Sequence, residues 1–191
     1  MPRQGLDTGQ VVEEAVRVAD ADGLEAVTLA RVSATLGVRA PSLYNHVAGR
    51  EALLRGIALR GLRELGDVLR RAAVGRARED ALVAVAHAYR AYAHEHPGCF
   101  AATVAPPAAG DVEHEQAAAE VVGVLAAIVG GWGIDDEDAV HAVRTVRSAL
   151  YGFVAIEAAG GFGLPVDCDA SFSRLVRTLA AGLEAAAPAP A

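Results

Sequence analysis

Along this chain, apolar residues recur at steps of three and four, and the strict alternation of a half-buried strand is absent. The pattern is cleanest near the end. Between 171 and 186, Phe172, Leu175, Val176, Leu179, Ala180 and Leu183 fall on one helical stripe. Further helices are predicted over 8–21, 80–96, 113–130 and 135–159, with a long one over 50–73 and a short one over 98–105. Thr8 is placed as the cap of the first, with Val11, Val12, Ala15, Val16 and Ala19 turned inward. The 113–130 segment is apolar on several sides, as in a buried helix. Pro97, the "APPAAGD" break at 105–111 and the Gly-rich loop at 158–167 punctuate the chain. The reading is an all-α protein of about nine helices. Three helices form a first domain over 1–54, a larger helical domain spans 55–186, and 187–191 is an unstructured tail.

The region between the first helix and the long one is built differently. Thr28 caps a short helix whose Leu29, Val32 and Leu36 share a face, and Gly37 ends it in a left-handed turn. Pro41 then opens a third helix, where its fixed φ suits the first helical position, and Gly49 closes the turn beyond it. At about 100° per residue, Leu43 and Val47 share the inner side, Pro41, Ser42 and Asn45 the outer side, and Tyr44 and His46 the flanks. Two short helices around a glycine turn form a helix-turn-helix, in which the second helix enters the major groove of DNA. Ser42 and Asn45 can meet base edges there. Tyr44 and His46 reach toward the two phosphate walls. Thr28 offers a hydroxyl and a helix N-terminus to a phosphate, and Arg50 offers a guanidinium.

Charge sharpens this picture. The net charge of −7 argues against nucleic acid until its distribution is read. Residues 1–78 hold 12 Arg against 9 acids, whereas the remainder holds 5 Arg against 15 acids. All 17 basic residues are Arg, and 26–50 contains Arg31, Arg39 and Arg50 with no acid. A local basic island on an acidic chain points to one polyanion contact. No apolar run is long enough for a bilayer: 117–131 is short and holds Glu120. The first ten residues carry no apolar signal core, so a cytoplasmic protein without membrane contact is expected. Cys99 and Cys168 stand far apart, which fits two reduced thiols.

The stretch "VTLARVSATLGVRAPSLYNHVAGREALLRGIA", residues 27–58, resembles the DNA-binding domain of the TetR family of bacterial transcriptional regulators. The Gly-Val turn, "LYNHV" and the Arg-Glu-x-Leu-Leu helix start all sit where that family has them. The resemblance implies an operator interface of Thr28, Arg39, Pro41, Ser42, Tyr44, Asn45, His46 and Arg50. Ala40 is small where relatives often carry a longer polar base-reading side chain, and Arg39 is the neighbour that can take over. The segment 147–167 resembles one C-terminal subclass of the family, with Tyr151-Gly152 in place of its usual His-Gly.

The family further implies a homodimer on a palindromic operator, a small-molecule effector that releases it, and repression as the usual outcome. No cofactor is expected. The expected effector pocket draws on Tyr89, Tyr92, Phe100, Trp132, His141, Arg144 and Tyr151, with a buried Arg144 pointing to an anionic ligand. The expected dimer interface pairs Val143, Leu150, Phe153 and Val154 with Phe172, Leu175, Leu179 and Leu183, as a four-helix arrangement across a two-fold axis. The long helix over 50–73 is the natural lever between pocket and groove. The alternative is a helical enzyme or metal protein using His87, His94 and His96. Their spacing fits metal ligation poorly, because His87 and His94 are seven apart and His94 and His96 diverge on a helix. A non-enzyme is expected.

Overall fold

The computed structural model describes residues 6–188. The readings on the first five residues and on 189–191 lie outside that range. The described residues form nine α-helices and no strand. In chain order these are α1 (Thr8–Asp22), α2 (Leu29–Thr35), α3 (Ala40–Leu43), α4 (Arg50–Ala73), α5 (Arg78–Glu95), α6 (Pro97–Ala102), α7 (Val112–Gly130), α8 (Asp136–Ala158) and α9 (Cys168–Ala186). A 3-10 turn, Leu24–Ala26, separates α1 from α2. No described helix is long and apolar enough to cross a membrane.

The chain divides into two compact units. The first comprises residues up to Glu64 together with Glu95–Ala118, and the second comprises Leu65–His94 and the chain from Ala119 onward. Helices α4 and α7 each contribute to both.

In the first unit, α1 is capped by Asp7, not Thr8. Asp7 accepts the N–H of Gln10, and the Gln10 side chain answers to the Asp7 N–H. This reciprocal box satisfies two N-terminal donors, more than a lone hydroxyl can. Of the expected apolar stripe of α1, Val11, Ala15, Val16 and Ala19 are buried and Val12 is half-buried. Helix α6 lies directly on α1. A Cβ on Gly98 would stand 2.2 Å from the Ala19 backbone, so only glycine permits this approach. Asp20 completes the joint, its carboxylate accepting the N–H of Gly98 at 2.8 Å and of Cys99 at 2.9 Å. A negative charge there also faces the positive end of α6.

The second unit is a core of Leu69, Val85, Leu125, Ile128, Val146, Leu150, Phe172 and Val176, all at most 5% exposed. The 113–130 helix, expected to be buried on several sides, is buried on one face only: Val121, Val124, Leu125, Ile128 and Val129 are inside, Val122 is half-buried, and Ala119, Glu120, Gly123 and Ala127 are exposed. Helix α9 starts three residues earlier than its stripe suggested, because Asp167 caps it by accepting the Asp169 N–H. One charge network, shielded at Arg90 and Glu157 and open at Asp169, ties three helices together. Arg90 of α5, its side chain 13% exposed, forms a two-bond pair with Glu157 of α8 and meets Asp169 of α9 at 2.8 Å. Its guanidinium also stands 4.9 Å from the Phe172 ring centre and 5.8 Å from that of Phe153. These bonds hold the Glu157 carboxyl down at about 2, chiefly through Arg90.

Candidate nucleic-acid interface

The helix-turn-helix is assembled mostly by short-range rules. Thr28 is extended and caps α2, its Oγ1 accepting the Arg31 N–H at 3.1 Å. That uses an acceptor lone pair and leaves the hydroxyl hydrogen to donate. After α2, Gly37 takes φ +67°, and the Val38 N–H returns to the Ser33 carbonyl. Arg39 is the N-cap of α3 and Pro41 lies in the first turn.

Regular α3 is one turn long, shorter than the two turns expected. From Tyr44 to His46 the chain continues as hydrogen-bonded turn, with the N–H groups of His46 and Val47 both returning to the Leu43 carbonyl. The face assignment survives this change. Leu43 is 0% exposed and Val47 6%, so both anchor the element, while Pro41, Ser42 and Asn45 are exposed. Tyr44 stands 63% exposed, unusually open for a large aromatic. His46 is half-buried, and its carbonyl accepts the Thr8 hydroxyl at 3.2 Å, joining the start of α1 to this tip.

The three arginines of the acid-free stretch have different surroundings. Arg31 pairs with Asp22 at 2.8 Å. Arg50 turns back into the unit. Its Nε donates to the Val27 carbonyl at 2.8 Å and its Nη2 to the Leu24 carbonyl at 3.0 Å, with Glu25 at 3.5 Å. It thereby fastens the start of α4 to the 3-10 turn before α2. Arg39 is exposed and belongs to no ion pair among the described residues, so its guanidinium is available beside Ser42.

Among the proposed effector residues, Tyr151 lies near enough to Tyr89 to act on its hydroxyl electrostatically. Phe100 belongs to the first unit, whereas Tyr89, Tyr92, Trp132, His141, Arg144 and Tyr151 belong to the second. Tyr89, Tyr92 and Trp132 are core side chains, each under 5% exposed. Burial pushes the Tyr89 hydroxyl well above the usual phenol range. The Trp132 indole donates to Glu184 at 2.8 Å. Tyr151 is half-buried, and Arg144 is exposed, so the buried cation that would have argued for an anionic ligand is absent. His141 is exposed and lines a cavity of about 480 Å³ with Thr145 and Leu179.

The residues expected at the dimer interface divide by burial. Val143, Leu150, Val154, Phe172 and Leu183 are each at most 6% exposed within the single chain. They pack α8 and α9 into the second unit's own core. Phe153, Leu175 and Leu179 are half-buried and keep some outward surface.

The three histidines of the alternative reading have separate partners. His87 sits edge-on to Phe172 with ring centres 5.4 Å apart, His94 Nε2 is 2.8 Å from Glu157, and His96 Nδ1 is 3.5 Å from Asp20. No group of three metal-binding side chains occurs among the described residues.

Two residues that the sequence did not single out emerge here. Asp20 holds α6 to α1 across 78 and 79 positions of sequence, a separation that leaves no local signal. His114 is 4% exposed at the start of α7, and its Nε2 is the one buried side-chain nitrogen or oxygen without a hydrogen-bond partner among the described residues. A histidine directly before an apolar helical run was the available hint.

Comparison with known proteins places this geometry. Residues 82–179 match the family described as tetracyclin repressor-like, C-terminal domain. The HTH-type transcriptional regulator Rv0681 of Mycobacterium tuberculosis is 38% identical over 180 residues, 94% of this chain and 82% of that protein. The HTH-type transcriptional regulator YobS of Bacillus subtilis is 34% identical over 183 residues, 95% of each chain. The crystal structure of a TetR variant from Acinetobacter baumannii in complex with minocycline shares the fold with a TM-score of 0.73 at 21% identity, over 97% of this chain and 100% of that one. With its helix-turn-helix tip, its all-helical units and relatives matched along nearly their whole length, the chain belongs to the TetR family of transcriptional regulators.

Proposed function

We propose that the protein binds a palindromic operator in double-stranded DNA as a homodimer and acts as a repressor released by a small-molecule effector. The observation that carries the reading is the polar tip of α3, held out on the buried anchors Leu43 and Val47. Ser42 and Asn45 read base edges, with Asn45 suited to adenine. Arg39, exposed and outside any ion pair, adds either a guanine contact or a phosphate contact. Tyr44, His46 and the Thr28 hydroxyl grip the backbone, and Pro41 sets the angle of entry. Arg50 supports this surface from behind, given its bonds to Leu24 and Val27. One short helix covers too few base pairs for selectivity, and two copies about 34–36 Å apart read a palindrome.

Dimerisation uses the outer faces of α8 and α9. Ile156 of α8, 48% exposed, adds apolar surface to Phe153, Leu175 and Leu179 there, and the loop between the two helices adds Leu164 and Val166, 78% and 65% exposed. By function the DNA-binding domain is 1–54, the regulatory domain 55–186 and the tail 187–191, a division that the compact units do not follow, since the first of them also takes in the chain to Glu64 and Glu95–Ala118. The protein works in the cytoplasm and carries out no catalysis, in keeping with relatives that are transcriptional regulators. Selection of bound duplexes from a random pool at moderate salt tests the reading. A palindromic consensus is expected, and a purified protein that enriches no sequence refutes it.

A further inference from the structure

The recognition tip hangs on few contacts, and one of them is directional. Regular α3 is a single turn, too short to be stable by itself. Leu43 and Val47 sink into the first unit and fix how deep the tip sits. Apolar packing is non-directional, so it leaves the roll of the exposed face loosely set. The neighbouring constraints lie outside the tip. Before it, the Val38 N–H returns to Ser33, and beyond it Arg50 bonds Leu24 and Val27. Between positions 40 and 47, a single side-chain hydrogen bond arrives from elsewhere in the chain among the described residues. The Thr8 hydroxyl donates to the His46 carbonyl at 3.2 Å, across 38 positions of sequence.

Each end of this bond is prepared for it. Asp7 and Gln10 complete the capping box of α1, so the hydroxyl of Thr8, the first residue of the helix, is not needed as a cap. Val11, Ala15, Val16 and Ala19 bury the inner side of α1, so Thr8 is presented from a fixed base. At the other end, a carbonyl that closes a helical turn has no donor within that turn and takes one from outside. The bond also has leverage. It grips the end of the segment whose exposed Ser42 and Asn45 carry the proposed base contacts. Such contacts need their side chains held within about 0.5 Å. A hydrogen bond weakens over a similar stretch, so this one resists a tilt of the tip.

We infer that Thr8, outside the residues proposed to touch DNA, is a positioning residue for the recognition tip and thereby a determinant of operator specificity. It acts through the backbone of His46. The specificity role rests on the operator reading, whereas the positioning of the tip is measured without DNA.

The test compares two full-length variants. Thr8→Val keeps the shape and removes the donor, and Thr8→Ser keeps the donor. Thr8 is exposed, so neither change opens a hole in the core. Without DNA, amide hydrogen exchange over 44–47 should quicken at least about threefold in Thr8→Val and return to the wild-type rate in Thr8→Ser. Tm should fall by no more than about 4 °C. On a duplex selected from a random pool, Thr8→Val should lower the ratio of selected to random-duplex affinity at least about threefold. Random-duplex affinity and the salt slope should stay as in the wild type, and Thr8→Ser should restore the ratio. Wild-type exchange in Thr8→Val, or no rescue by Thr8→Ser, overturns the role of Thr8 and leaves the operator reading standing. An equal loss on selected and random duplexes makes Thr8 a direct phosphate contact and overturns it too. A wild-type protein that selects no duplex refutes the operator reading, and the specificity role falls with it.

Discussion

Replacing Arg50 separates two roles that its position allows. A residue at the start of α4, beside the recognition tip, is well placed to clamp a phosphate. The geometry instead aims its guanidinium at the Val27 and Leu24 carbonyls, at 2.8 and 3.0 Å. A hydrogen bond to a charged group contributes about 1.5–3 kcal/mol net. The side chain is 41% exposed, so water can replace part of what is lost, and Glu25 at 3.5 Å and 99% exposure adds little. Arg50→Ala should therefore cost about 2–3 kcal/mol, or about 5–10 °C in Tm for a chain of this length. Arg50→Lys keeps the charge without the fork and should lose most of the same stability. Operator affinity, measured by anisotropy across a salt series, should drop because α3 is displaced, while the slope of log K against log salt stays as in the wild type. A phosphate clamp gives the opposite signature. If the slope becomes shallower by about 0.9 while the melt is unaltered, the inward role is wrong.

Tyr44→Ala should weaken binding to every duplex alike, and Asn45→Ala should relax preference at one base position by about 1–3 kcal/mol, both read by competition binding with single-base operator variants. Gly98→Ala forces a Cβ to within 2.2 Å of the Ala19 backbone and should destabilise by at least about 3 kcal/mol in urea titration, with Ala19 and Gly98 unable to separate without breaking the Asp20 bonds. Glu157 supplies a pH prediction. Its folded pKa lies at about 2, below the ordinary 4.5, so its stabilising share is complete above pH 4.5 and is lost as pH falls toward 2. That share is up to about 3 kcal/mol, and Glu157→Gln should flatten the fall in Tm between pH 5 and pH 2.5.

Much of the candidate interface was legible because its determinants are local. A threonine cap, a glycine at positive φ, a proline in the first turn and the three-and-four spacing of Leu43 and Val47 each act within a few residues. The same locality explains why the helices were found and the sheet excluded. Locality also explains the small misses. Asp7 takes the cap of α1 from Thr8 because its carboxylate accepts the Gln10 N–H and the Gln10 side chain answers, and α3 loses its second turn to a run of turn hydrogen bonds.

What local pattern leaves open is the partner of each face. The stripes of α8 and α9 announce burial, yet burial inside one chain and burial between two look identical in a sequence. The packing of the second unit decided for the first, placing Leu150 and Phe172 at 0% exposure. Arg50 carries the same charge whichever way it points, and only contacts 23 and 26 residues away turn it inward. Asp20 acquires its meaning only from α6, which reaches it across 78 positions of sequence. The amino-acid sequence by itself determined the helices, their faces and the polar tip, because hydrogen bonding and hydrophobic spacing are short-range. The tertiary structure decided which faces remain open to DNA, ligand or a second copy, because occupancy of a surface is a long-range property.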